Sequence, residues 1–145
     1  MSPFDVEIIQ RKLAVILDNL KALEPIQRME RDEYLRDLYK RKATERLLQE
    51  LIEAAIDINT HMIVGSGYAA PDDYYQSFIR AAEIGIISPD LSEKLAPSAG
   101  LRNRLVHEYD RIEHSIILEA VGMAEEFYPR YVKEVSDTLS GIGKG

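Results

Sequence analysis

Cysteine and tryptophan are both absent from this chain of 145 residues. Without cysteine the protein has no disulfide framework, no thiolate metal site and no cysteine nucleophile. Long apolar runs are absent too, and none approaches the length that spans a bilayer. Charged residues interrupt the opening segment, so we expect no secretory signal there. These absences together predict a cytoplasmic protein with no membrane partner.

Positive charge is in short supply. The chain has 18 lysines and arginines against 25 aspartates and glutamates, which gives a net charge of −7. Proteins that coat nucleic acid by bulk attraction are usually basic. The charge balance therefore argues against sequence-independent nucleic-acid binding, and we expect no DNA partner. It does not exclude an enzyme that touches a few phosphates through local arginines, or a more basic protein as a partner.

What the chain does have is helical periodicity. Apolar residues recur at three- and four-residue steps nearly throughout, and no strand of alternating polarity or internal repeat is visible. The predicted fold class is all-α, an up-down bundle of four to five helices. We expect one domain over residues 1–140 and a flexible C-terminal tail over residues 141–145.

Turn and cap residues divide this periodic sequence into segments. The first helix is expected to begin at Ser2 and Pro3 and to stop or bend at Pro25. We expect four further segments: a long helix over residues 29–65, a short helix with Asp72 or Asp73 in its first turn that Gly85 closes, a segment that starts at Ser88 and breaks near Pro97 and Gly100, and a last helix over residues 112–139.

The stretch GLRNRLVHEYDRI concentrates groups that can do chemistry. On a helical wheel its leucines share an inward stripe, whereas Asn103, His107 and Asp110 fall on the side away from them. By periodicity alone this is an ordinary solvated helix face. In a functional interpretation, His107 would transfer protons near neutral pH, and Arg102 would hold a phosphate and stabilise the charge that builds on it.

A histidine and an arginine together suit cleavage of RNA by its own 2′-hydroxyl. A base takes the hydroxyl proton, the oxygen attacks phosphorus, and a 2′,3′-cyclic phosphate forms without a metal. The reaction needs both an acid and a base, whereas His107 is a single residue. A symmetric dimer that brings two copies of the helix together would supply the second histidine.

Four of these residues form a motif. Arg102, His107 and Tyr109 read as R-x4-H-x-Y, with Asn103 directly after the arginine. This pattern resembles the signature of the HepT-like toxins of the HEPN ribonuclease superfamily, which are paired with a nucleotidyltransferase antitoxin of the MntA type. The segments EAAIDINTHMI, DDYYQSFIRAAEIGIIS and LRNRLVHEYDRI follow in the order expected of that family, so the resemblance covers most of the chain.

The resemblance implies a metal-independent endoribonuclease without a cofactor, the toxin of a type VII toxin–antitoxin system that cleaves tRNA or mRNA. Arg102 and His107 would be the catalytic pair, Asn103 would support them, and a homodimer would form the cleft. Tyr109 would be the residue that the antitoxin modifies with AMP. The adenylate is bulky and negatively charged, so it would block the cleft and repel RNA phosphates.

Asp57 is an accessory candidate on the long second helix. It lies four residues after Glu53 and four before His61, a spacing that can orient a histidine or hold a metal. Too few ligands converge for a metal site, and a polar helix face explains the spacing more simply. We expect at most that Asp57 and Asn59 lie near the motif helix and support it through hydrogen bonds.

Two other functions stay open on the sequence. The scaffold also suits a non-catalytic subunit that binds substrate or nucleotide for a nucleotidyltransferase, in which Arg102 and His107 hold phosphate without cutting RNA. Alternatively, the motif merely packs within a helical dimer. In that case Arg102→Ala and His107→Ala would change stability as much as any activity.

Overall fold

The computed structural model describes residues 4–144, with side chains described up to residue 141. All regular structure in that part of the chain is helical, which confirms the predicted all-α class. The elements are α1 (Val6–Gln27), α2 (Arg31–Leu35), α3 (Leu38–Gly65), α4 (Tyr74–Glu83), α5 (Pro89–Leu95), α6 (Ser98–His107) and α7 (His114–Lys144). The described residues form seven helices rather than the predicted four to five, because the segment 29–65 divides into α2 and α3 and the segment from Ser88 divides into α5 and α6. Within the described residues, no helix combines the length and apolar character needed to span a membrane.

Short polar side chains begin several of these helices. Asp5, Asp73 and Ser88 are N-cap residues, and each accepts a hydrogen bond from the backbone N–H three residues later. Such a bond satisfies one of the donors that a helix N-terminus leaves free. The predicted start at Ser88 is confirmed. The first helix begins at Val6, after the extended backbone of Asp5, so the start predicted at Ser2 and Pro3 is wrong, and the helix continues through Pro25 to Gln27.

The end of α4 is set by Gly85, as predicted. Its φ of +87° lies in the left-handed region that glycine adopts without strain. The Gly85 N–H donates to the carbonyl of Ala82 at 3.1 Å, and the Ile86 N–H donates to the carbonyl of Ala81 at 2.8 Å. This pair of bonds is a Schellman motif, which satisfies carbonyls at the helix C-terminus and turns the chain toward α5.

The single long helix predicted over residues 29–65 is wrong, because the structure has two helices there. α2 ends at Leu35, and Asp37 then adopts an extended backbone with φ −112° and ψ 98°. The Asp37 carboxylate accepts the Lys40 N–H at 3.0 Å and so begins α3. The apolar spacing continued through this segment, but a local aspartate cap offers the backbone an alternative to continuous helix.

The three long helices α1, α3 and α7 pack on one another, and α4, α5 and α6 pack against them. A buried polar chain joins three of these elements. Tyr131 Oη on α7 donates to Asn59 Oδ1 on α3 at 2.6 Å and lies 3.1 Å from the Ala55 carbonyl. Asn59 Nδ2 donates to Ser77 Oγ on α4 at 3.3 Å, and Ser77 Oγ donates to the Tyr74 carbonyl at 2.7 Å. The core is thereby connected to the first turn of α4.

The last helix differs from its predicted bounds at both ends. It begins at His114 rather than at residue 112, and it continues to Lys144 rather than ending at residue 139. Pro129 lies inside it. The single domain over residues 1–140 and the flexible tail over residues 141–145 stay predictions.

Candidate functional site

The motif straddles the end of a helix. α6 stops at His107, and the Glu108 N–H closes its last turn on the Arg104 carbonyl at 2.7 Å. Residues 108–113 form a loop that leads to α7. The prediction that one helix carries the whole stretch to residue 112 is therefore wrong, and the wheel positions of Tyr109 and Asp110 do not apply. The sequence has no glycine or proline at this end, so the termination left no local signal.

Arg102, in the middle of α6, is held from three sides. Its Nε donates to Glu53 Oε1 on α3 at 3.3 Å, and its Nη1 donates to Asn103 Oδ1 at 3.2 Å. Its Cζ lies 4.9 Å from the centroid of the Tyr74 ring on α4, within the range of a cation–π contact. The side chain is 19% exposed, so most of it is covered. Among the described residues, Nη2 has no hydrogen-bond partner.

A small pocket lies beside this arginine. Glu53, Ile56, Asp57 and Tyr74 line it with Arg102, and its volume is about 80 Å³. Pockets that hold small-molecule ligands are about 300–1,000 Å³. The pocket is therefore too small for such a ligand. The unpaired Nη2 is the part of the guanidinium that is left to meet a phosphate.

His107 is the last residue of α6, and its side chain is exposed. This agrees with its predicted outward position. Within the part of the chain that the structure describes, it has no hydrogen-bond partner. The five-residue step from Arg102 corresponds to about 7.5 Å along the helix axis and about 140° around it. One chain therefore presents the two groups on different faces of the same helix.

Tyr109 lies in the loop after α6, and the residue is 59% exposed. The Lys42 ammonium on α3 lies 5.6 Å from the centroid of its ring. Because the phenol is accessible and a cation lies close by, a negatively charged group attached to this tyrosine would have a positive partner.

The other predicted supporting residues have separate partners. Asp57 Oδ2 accepts from Lys12 Nζ on α1 at 2.9 Å, although its side chain also lines the Arg102 pocket. Asn59 is buried in the hydrogen-bonded chain of the core, so the expectation that it supports the motif helix is wrong. His61 Nε2 accepts the Asp5 N–H at 3.1 Å. In the described part of the chain, no three histidines or carboxylates are grouped to hold a metal.

The structure adds Glu53 and Tyr74 to the residues around Arg102. Both stood in segments already noticed, Glu53 on the polar face of the second predicted helix and Tyr74 in the segment DDYYQSFIRAAEIGIIS. Glu53 and Arg102 are 49 positions apart, and only the packing of α6 on α3 and α4 brings them together. The only sequence signal for Glu53 was the polar face of α3, which could be explained either as a site that orients a histidine or holds a metal or as an ordinary solvated face.

Comparison of the fold defines the class of protein. A solved structure of a tri-AMPylated Shewanella oneidensis HEPN toxin in complex with an MNT antitoxin superposes with a TM-score of 0.80. The superposition covers 90% of this chain and 97% of that chain, at 25% identity. The all-helical bundle is thus of the HEPN type.

Sequence comparison then gives the family. The family described as ribonuclease HepT-like matches residues 16–135. A tRNA nuclease HepT of Aphanizomenon flos-aquae is 38% identical over 142 residues, which cover 96% of this chain and 95% of that protein. An mRNA nuclease HepT of Shewanella oneidensis is 26% identical over 126 residues, covering 87% and 94% of the two chains. The chain belongs to the ribonuclease HepT-like family.

Proposed function

We propose that this protein is a metal-independent endoribonuclease and the toxin of a type VII toxin–antitoxin pair. One observation carries the proposal. Arg102 is held through Nε and Nη1 with its Nη2 free, and His107 stands exposed at the end of the same helix. Two relatives over most of the chain are a tRNA nuclease and an mRNA nuclease, which supports RNA as the substrate.

The proposed chemistry assigns one task to each residue. His107 accepts the proton of the 2′-hydroxyl while that oxygen forms a bond to phosphorus. The bond from phosphorus to the 5′-oxygen breaks, a general acid protonates the leaving oxygen, and a 2′,3′-cyclic phosphate remains. Arg102 holds the phosphate and stabilises the charge that builds on its oxygens. Asn103 orients Arg102 through Nη1.

The geometry of α6 favours a homodimer for this reaction. The two groups lie on different faces of one helix, and the reaction needs a second proton-transfer group. A second copy of α6 across a twofold axis supplies another His107 and another Arg102 to one cleft. Because the chain carries a net charge of −7, RNA must be held by such a local site rather than by the protein as a whole.

The proposed silencing point is Tyr109. An MntA-type nucleotidyltransferase would transfer AMP to its exposed phenol. The similar HEPN toxin of Shewanella oneidensis, solved in complex with an MNT antitoxin, is itself tri-AMPylated. The Tyr109 oxygen attacks the α-phosphorus of ATP, pyrophosphate leaves, and the phenol proton passes to a base of the partner. The attached nucleotide then lies two residues from His107, where its bulk and negative charge exclude an RNA phosphate. Asp57 stays an accessory candidate.

The test uses purified protein without its partner, with Tyr109 shown to be free of AMP by intact mass. The protein is mixed with total tRNA and an mRNA transcript in EDTA, and the product ends are mapped. Cleavage with 2′,3′-cyclic phosphate ends is expected, and a DNA strand of the same sequence stays intact because it lacks the nucleophile. No cleavage by folded, unmodified protein would contradict the proposal and favour a phosphate-binding subunit of a nucleotidyltransferase.

A further inference from the structure

We infer that Glu53 is a positioning residue that aims the guanidinium of Arg102 at the scissile phosphate. The inference rests on the proposed function, because it assigns a role to the contact partner of a proposed catalytic arginine. Glu53 lies on α3, 49 positions from Arg102, and the Nε to Oε1 distance of 3.3 Å joins two separate elements of the bundle.

The planarity of the guanidinium makes this contact effective. Its five N–H donors are held in one rigid plane, so a bond at Nε together with a bond at Nη1 determines where Nη2 points. The Nε–H donates to the Glu53 carboxylate, and an Nη1–H donates to the Asn103 side-chain oxygen. The centroid of the Tyr74 ring lies 4.9 Å from Cζ and adds a cation–π contact. The two N–H groups of Nη2 are left for a phosphate.

Glu53 is itself held in place. The same Oε1 atom accepts a hydrogen bond from Gln49 Nε2, one turn earlier on α3, at 2.8 Å. A mobile glutamate would not fix the orientation of the Arg102 guanidinium. Because Glu53 is itself hydrogen-bonded on a long, packed helix, its carboxylate has a defined position relative to Arg102. The side chain of Glu53 is 36% exposed and that of Arg102 is 19% exposed, so neither charge is fully buried in this ion pair.

Neighbouring carboxylates on α3 do not share this role. Asp57 accepts from Lys12, and Glu50 contacts Arg46 at 3.1 Å and Asn19 at 3.2 Å. Among the described residues, the ion pair of Arg102 is formed with Glu53 alone. The chain therefore offers a matched control, since Glu50→Gln removes an acidic charge one turn from Glu53 and keeps an oxygen acceptor for Asn19.

The experiment measures RNA cleavage in EDTA by the full-length, unmodified protein. Glu53→Ala is expected to lower kcat about tenfold or more with a smaller change in KM, because misplacing a group that stabilises the transition state costs rate rather than ground-state binding. Glu53→Gln keeps an acceptor for Nε and is expected to retain most of the rate. Glu50→Gln is expected to match the wild type.

A double-mutant cycle separates positioning from direct chemistry. If Glu53 acts through Arg102, Glu53→Ala changes nothing further in the Arg102→Ala background, measured at higher enzyme concentration. Equal losses in both backgrounds would overturn the inference and assign Glu53 its own chemical step. A wild-type rate for Glu53→Ala would overturn it as well, while RNA cleavage itself would stand.

A spectroscopic readout keeps the inference testable without catalysis. The Nε–H resonance of Arg102, assigned by its loss in Arg102→Ala, is followed by ¹⁵N NMR. Glu53→Ala is expected to shift it and speed its exchange with water, whereas Glu50→Gln leaves it in place. If the wild type cleaves no RNA, the proposed function fails, and this resonance still decides the anchoring. An unchanged resonance in Glu53→Ala would overturn the inference.

Discussion

The buried hydroxyl of Tyr131 gives the sharpest stability prediction. Tyr131→Phe removes the hydrogen bond to Asn59 Oδ1 at 2.6 Å and the contact of the hydroxyl with the Ala55 carbonyl at 3.1 Å. Asn59 is fully buried, so its Oδ1 is left without a donor. An unsatisfied buried polar group costs about 1–3 kcal/mol, and we expect the free energy of unfolding to fall by that amount. At roughly 3 °C per kcal/mol for a chain of this size, Tm falls by about 3–9 °C.

Tyr128 provides a matched control on the same helix. Its side chain is also fully buried, and the Ser98 hydroxyl lies near enough to lower the pKa of Tyr128 against the larger effect of burial, but no hydrogen bond of ordinary geometry joins the two groups. Tyr128→Phe therefore breaks no well-formed hydrogen bond, and we expect a change within about 1 kcal/mol in either direction. Urea unfolding followed by circular dichroism gives both values, with m unchanged. Equal losses in the two variants, or no loss in Tyr131→Phe, would refute the argument from hydrogen-bond satisfaction.

Two further predictions concern a buried phenol and an exposed one. Burial, and after it the Glu45 carboxylate, raises the pKa of Tyr34 from its ordinary 10 to about 12. The contribution of the neutral Tyr34 phenol to folding stability is complete below pH 10 and is lost as pH rises through 12. Tyr34→Phe should therefore flatten the decline in the free energy of unfolding between pH 10 and pH 12. Lys42→Ala is expected to slow AMP transfer to Tyr109 severalfold, because the ammonium beside the ring attracts the incoming phosphates. Intact mass after timed incubation with the partner and ATP measures the transfer, and a rate equal to that of an exposed control, Lys21→Ala, would count against the contact.

Local signals predicted the helices where one residue type decides the geometry. Ser88 with Pro89 begins α5, Asp73 begins α4, and Gly85 ends α4 at a positive φ. These features depend on a few neighbouring residues, which is why the sequence was sufficient. The break at Asp37 was not predicted, because the charged segment around it keeps a helical spacing. A single possible cap residue is a weaker sequence signal than that spacing.

The site was predictable in part, for a different reason. The motif named Arg102, Asn103, His107 and Tyr109 without any structure, and the outward direction of His107 followed from helical periodicity. The end of α6 at His107 did not follow, since no glycine or proline marks it. Glu53 escaped too. Its contact with Arg102 depends on how α6 packs on α3, and a periodic pattern gives the face of a helix but not the neighbour that covers it.

The most direct test of the central claim compares two histidine variants. His107→Gln and His61→Gln are purified free of AMP and mixed with tRNA and mRNA transcript in EDTA beside the wild type. His61 accepts the backbone N–H of Asp5 at the start of α1, so its variant controls for loss of a histidine. The account predicts that the wild type and His61→Gln cleave RNA, and that His107→Gln loses at least about 10²-fold in rate. Cleavage by His107→Gln at the wild-type rate would contradict it.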